Sequence, residues 1–558
     1  MRITSFHIRF LVALILISVV FLSCKKEGPY FDTGLSEQES PELVSAWLSL
    51  DLNVVSSGAA TKVADNVVGG ENKGINEEKI TRLAIWLVPV EGGSEKWSEA
   101  IMTYVPDLSL NSGNNYVASV KTKLNVPMNV YVGANISTDI AAAFLSGGPN
   151  AVYNAVSAAY PDDYSSLVNQ FASADMGVAM FCIKKASLVF AAENADKATP
   201  AKINDEDSDG HPDNIDLVRM LAKVHVLFQC YDYPNDEYVI ITEPGSLTAA
   251  PFGKFGWSKL EDISYILNTV NKSTRIIQPD YSNYSSWTDL NHSMTSLLQK
   301  GLEWEYNGTA GGQFLGFAEN PGNHDDAWEK WSAEPEKYEL NRPPFGAGGE
   351  TYVEGLYCLE NTTDDSALSE MTTDEKKFVP FMVATHIIVK ARFVPREINT
   401  VDGSGNLFKN NHGENGYDAA LEALPEVNGV DENNVSHTYP AGTFFTRDMK
   451  EFYDYKGMLK LIELGSVPGL SRKNFAAYPG GYGFYYSYIH GGTDGTTGQV
   501  TFSGTDSGVF RNHYHILNCQ LMKVPATPGS FNQLMMVNSK VVDWNPKGAL
   551  NLIVKPNV

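Results

Sequence analysis

Val44-Ser45-Ala46-Trp47-Leu48-Ser49-Leu50-Asp51-Leu52-Asn53-Val54 decides the fold class of this chain. Val44, Ala46, Leu48, Leu50, Leu52 and Val54 alternate with Ser45, Ser49, Asp51 and Asn53. A period of two with one apolar face predicts a half-buried strand. A small-residue stretch, Ser56 to Val63, follows it. Ile80 to Val88 is apolar on both faces and reads as a central strand. The same reading gives strands at Val126 to Val132, Leu217 to Cys230, Val383 to Val394, Gly483 to His490 and Val509 to Met522. Gly, Asn, Asp and Pro clusters separate them, the pattern of sandwiches and barrels. Short helices are expected near Asp139 to Ser146 and Trp287 to Leu302, and a long loop or insertion from Asn307 to Gly349. The acidic, Ser/Thr-rich stretch Thr362 to Lys377 reads as the linker between two domains.

The first residues predict export. Arg2, His7 and Arg9 precede an apolar run, Phe10 to Phe21, too short for a lasting membrane span. Phe21-Leu22-Ser23-Cys24 supplies the cysteine that lipoprotein maturation acylates, and several acyl chains anchor firmly. The expectation is therefore an outer-membrane lipoprotein precursor acylated at Cys24. A net charge of −24 argues against nucleic acid or anionic lipid as partners. The remaining cysteines, Cys182, Cys230, Cys358 and Cys519, form no CxxC pair and allow three disulfide pairings among which spacing does not choose.

Several segments in chain order resemble the fimbrillin family, the shaft subunits of lipoprotein-derived type V pili, above all those of the minor fimbrium. They are Ala46 to Leu52 with Thr61-Lys62-Val63-Ala64 and Ile80 to Val88; Val132-Gly133-Ala134-Asn135; Val218 to Val224; Cys358 to Thr362 with Ala384 to Lys390; Phe510-Arg511-Asn512-His513-Tyr514; and Val541 to Asn545. The resemblance implies a mainly β chain of two transthyretin-like Greek-key β-sandwich domains with loop and helix insertions. It also implies proteolytic trimming by a trypsin-like protease and polymerisation by donor-strand exchange. Its partners would be other subunits of the fimbrium, with accessory anchor and tip subunits, and its place the cell surface, supporting adhesion. The family cleaves after Arg; here Lys62-Val63 stands at that place, and Arg82 downstream lies against an apolar strand.

The expected organisation is a signal peptide over 1–23, a propeptide over 24–62, an N-terminal sandwich over 63–372, a C-terminal sandwich over 373–528 and a donor tail over 529–558. The propeptide strand, with Ala46, Leu48, Leu50, Leu52 and Val54, would cover a groove that another subunit's tail later fills. Leu550, Leu552 and Val554 alternate with Ala549, Asn551 and Ile553 and suit that role; Leu534 to Trp544 is a second candidate. Both segments could instead be edge strands of their own domains.

Asp205-Glu206-Asp207-Ser208-Asp209-Gly210-His211-Pro212-Asp213-Asn214-Ile215-Asp216 has the spacing of a twelve-residue calcium loop. Asp205, Asp207, Asp209, the carbonyl of His211, Asp213 and Asp216 would be the ligands of a structural Ca2+. Pro212 and Asp216 depart from a helix-loop-helix site, and a solvated acidic turn is the alternative. An enzyme is not expected: HExxH, GxSxG and P-loop motifs are missing from the sequence. Asp506-Ser507-Gly508 is only a polar turn, His513 and His515 are half-buried strand residues before they are ligands, and Asp365-Ser366-Ala367 resembles a short O-glycosylation signal. The competing function is an anchored glycan-binding lipoprotein, or a pilus anchor subunit.

Overall fold

A computed structural model describes residues 43–54, 67–68, 71–72, 75–106, 108, 115–155, 164–204, 213–228, 231–232, 237–239, 259–268, 270–278, 314–315, 355–362, 385–395, 397–411, 424, 426–430, 436–447, 451–489, 492–493, 500–501, 508–520, 536–543 and 547–549. The chain is mainly β, in several sheets of sandwich type. The described residues from Val44 onward belong to one compact unit.

The first sheet system uses β1 (Val44–Val54), β2 (Leu83–Glu91), β3 (Ser94–Glu95), β4 (Ile101–Val105), β5 (Asn115–Thr122), β6 (Pro127–Ala134), β7 (Met180–Cys182), β8 (Ala186–Val189) and β9 (Ile215–Arg219). Its order is β3-β2-β6-β7-β9-β1-β5, with β4 on β2 and β8 on β6. Strand β2 is the central strand its two apolar faces predict, with Leu83 to Val88 all buried. Helix α1 (Thr138–Gly147) is capped by Ser137, whose hydroxyl accepts from the Ile140 N–H. Phe144 on this helix packs edge-on against Trp86, Phe181, Tyr131 and Trp97.

The second system has two sheets. One is β12-β10-β15-β16, built from β10 (Leu221–Phe228), β12 (Leu356–Leu359), β15 (His513–Gln520) and β16 (Met536–Asp543). The other contains β11 (Lys259–Asn268), β13 (His386–Val394) and β14 (Tyr482–Tyr488) in that order. Between β13 and β14 an insertion folds into its own five-stranded sheet, with Glu397–Val401 and Phe444–Thr446 among its strands. Helix α2 (Tyr455–Leu464) packs on that sheet over a small core of Phe445, Tyr453, Met458 and Phe475.

Two sequence expectations need correction. Leu217 to Cys230 is not one strand. It breaks at Met220 into β9, which ends the first sheet system, and β10, which begins the second. The strands therefore divide near residue 220, not at 372: residues 356–359 pair with β10, and β10 pairs with β15. A border between two packed sheet systems needs no flexible composition, and Met220 at the joint is fully buried. The acidic stretch from Thr362 joins strands within the second system; beyond Thr362 it lies outside the described residues, as do 287–302 and most of 307–349.

Candidate functional site

Strand β1 is where the alternation becomes structure. Ala46, Leu48, Leu50 and Leu52 point into the core, each 2% exposed or less, while Ser45 and Asn53 stay in solvent. Along one side β1 runs antiparallel to β5 from Val44↔Thr122 to Asp51↔Asn115. Along the other, the Ala201 N–H donates to the Trp47 carbonyl and the Ser49 N–H to the Ala201 carbonyl, both at 2.8 Å. Further on, Leu52 to Val54 pair in parallel with Ile215 to Leu217 of β9. On the outer face Lys197 sits over the Trp47 ring at 5.1 Å. Lys121 donates to the Ser45 hydroxyl at 2.8 Å, and the Asn53 amide to the Asp216 carboxylate at 2.8 Å. An interior position with both edges bonded means that loss of β1 would leave two unpaired ladders around an apolar slot. Burying three Leu side chains and one Ala contributes roughly 5–10 kcal/mol before entropy.

A second constellation ties the two sheet systems together. Glu77, in the segment leading to β2, is buried and accepts from Lys223 Nζ of β10 at 2.9 Å and from the Tyr357 hydroxyl of β12 at 2.5 Å. Its backbone carbonyl accepts from Arg219 Nε at 3.2 Å. Arg219 Nη1 also donates to the Asn512 side-chain carbonyl at 3.2 Å, and the Asn512 N–H donates to the Leu221 carbonyl. Burial draws the Arg219 guanidinium down to about 10, with Glu77, Glu78 and Tyr357 opposing it. Arg511, next in the same turn, faces the other way. Its guanidinium is fully buried and donates to Glu360, to the Thr274 hydroxyl and to the carbonyls of Arg275 and Ile276. Asn512 takes φ +60°, a left-handed conformation that Asn tolerates better than most residues. The segment before β2 is itself fixed: Asn135 accepts from the Thr81 N–H at 2.7 Å and donates to the carbonyls of Lys79 and Val178.

Of the residues expected to act, Ala46, Leu48, Leu50 and Leu52 are brought together as one buried row, with Val54 partly buried at its end. Cys24, Lys62, Val63, Leu550, Leu552, Val554, Asp205, Asp207, Asp209 and His211 lie outside the described residues. Asp213 precedes β9, and Asp216 is on β9, its carboxylate facing Asn53. Among the described residues no group of three or more His, Cys, Asp or Glu is placed to hold a metal. The second donor candidate is corrected: within Leu534 to Trp544, Met536–Asp543 is an edge strand of its own sheet, paired with β15 over eight residues. Cys182 and Cys358 are buried free thiols, and burial pushes Cys182 up to about 12. Among the described residues no helix is long and apolar enough to cross a membrane. The junction residues escaped sequence reading, although two cations within the apolar run Leu217 to Val226, Arg219 and Lys223, were a signal.

No protein-family model matches the chain, and no curated protein does. The chain is similar to several solved structures over most of its length. A candidate cell adhesion protein of Parabacteroides distasonis is 12% identical, with 90% of this chain and 100% of that one covered and a TM-score of 0.43. Another from Bacteroides eggerthii is 9% identical over 89% and 95%, with a TM-score of 0.37. The tip fimbrial protein Mfa3 of Porphyromonas gingivalis, truncated at its C-terminus, is 12% identical over 90% and 100%, with a TM-score of 0.33.

Proposed function

We propose that this chain is a structural, non-enzymatic subunit of a cell-surface fimbrium. It is exported as a lipoprotein acylated at Cys24, trimmed at Lys62-Val63 by a trypsin-like protease, and polymerised with other fimbrial subunits by donor-strand exchange. One observation carries the reading: the amphipathic strand β1 fills an interior slot of the first sheet system. Residues 55–66 alone connect it to the next described residues, so one cut there makes its seat available. The segment anchored through Asn135 and Glu77 lies beyond that cut and stays with the trimmed protein. Cleavage after Arg82 would instead remove Glu77 from Lys223, which favours Lys62. The Asp-rich loop from Asp205 to Asp216 is proposed to hold a structural Ca2+ at the entry to β9; titration calorimetry showing no calcium uptake would remove that element.

Deletion of the residues after Trp544 tests the function. Secreted polymers are expected to vanish while the monomer keeps its thermal transition; polymers that persist without the tail would overturn the reading.

A further inference from the structure

The slot occupied by β1 has a shape that selects its next occupant. Reading along β1, its four inward seats hold Ala46, Leu48, Leu50 and Leu52: one small, then three large. We infer that the tail of a second copy enters this slot in the same direction as β1, with Gly548 in the seat of Ala46, Leu550 in that of Leu48, Leu552 in that of Leu50 and Val554 in that of Leu52. This rests on the donor-strand reading and adds which residue sits where and which way the strand runs.

Every other register of the tail fails on a physical count. Sliding two residues one way puts Leu550 in the small seat and Pro556 in the last; sliding two the other way puts Gly548 in a leucine seat and leaves a void. An odd shift turns Asn551 into the core. The reversed strand places Val554 in the small seat and Gly548 in the seat of Leu52 or, shifted by two, Pro556 in the seat of Ala46, where the ladder needs an N–H. Charge does not choose, since a lysine falls opposite Asp216 either way, Lys555 in one direction and Lys547 in the other. The prolines agree with the forward register. Pro546 and Pro556 fall at the positions of Val44 and Val54, the two ends of β1, so every residue between them can donate to the ladder. In the untrimmed chain Lys547–Ala549 pairs with Val67–Val68. Entry exchanges that two-residue contact for a ladder as long as β1. Only Trp544, Asn545 and Pro546 then separate the donor's β16 from the acceptor's slot, so neighbouring subunits would be held close, within roughly 14 Å of chain.

Paired cysteines test the register. Trp47 lies opposite exposed Ser119 of β5, so Ala549 of the donor should come to lie there. Trimmed S119C/A549C protein is expected to give a covalent ladder on a non-reducing gel, and S119C/I553C protein none. The opposite outcome would overturn the direction while leaving strand exchange intact. No ladder from either pair, in protein whose polymers still depend on the tail, would overturn the register itself. Size gives an independent readout: Gly548→Leu is expected to lower polymer yield about tenfold or more and Gly548→Ala to leave it near normal. Equal yields from both variants would count against the small seat.

Discussion

Asn512 carries two demands at once, a left-handed backbone and a side-chain carbonyl for Arg219. Asn512→Ala is expected to destabilise the protein by about 2–4 kcal/mol in urea unfolding, combining the φ cost with a lost buried acceptor. Asn512→Gly should recover about 1 kcal/mol of that, because it restores only the backbone freedom. A full recovery by glycine would show that the carbonyl contributes nothing. Glu95 offers a pH test. Burial alone would raise its pKa, but bonds from Tyr131, Lys185, Asn129 and Trp97 outweigh it and hold the carboxyl at about 2, below the ordinary 4.5. A group depressed in the folded state stabilises above its unfolded pKa, and that contribution fades as pH falls from about 4.5 toward 2. The Tm gap between the protein and its Glu95→Gln variant is therefore expected to narrow across that window. A gap that stays constant with pH would contradict it. Neither residue was legible beforehand, because a buried polar network is assembled from positions far apart in sequence.

At the scale of elements, alternation was the readable quantity. Strand β1 keeps the face predicted from Val44 to Val54, and β2 is buried on both faces, with α1 covering the Trp86 side through Phe144. What alternation missed was the break at Met220, since a strand that changes sheets keeps its apolar composition through the corner. The insertion around α2 was also unread; its short strands carry too few residues to show a period. Its packing gives a test. A Cβ on Gly457 would collide with the Asn399 carbonyl oxygen, although Ala favours a helix by about 1 kcal/mol. The collision with backbone wins, so Gly457→Ala is expected to destabilise by about 1–3 kcal/mol. A neutral or stabilised variant in thermal unfolding would mean that α2 can withdraw from the sheet.

For the whole molecule, one four-residue turn, Phe510 to His513, holds both sheet systems, with Arg511 reaching Glu360 and Asn512 reaching Arg219. Two chain lengths test the Glu77 contact on this joint. Protein starting at Val63 should keep slow amide exchange in β10, whereas protein starting at Leu83 should exchange there about a hundredfold faster if roughly 3 kcal/mol of local stability goes. Equal protection in both would remove Glu77 from the joint. That the chain is mainly β was legible from strand spacing, but the place where the strands change partners was not, because a composition change marks a loop more readily than a packed interface. The pairing also orders events in time. All nine strands of the first system come from one continuous stretch, Val44 to Arg219, whereas the Arg219–Asn512 bond that finishes the joint spans 293 residues. As the polypeptide is made, the leading half can reach its native form before the rest of the chain is available. The trailing half must wait for its final strands, so refolding should show an early N-terminal phase and a slower one governed by closure of that distant pair.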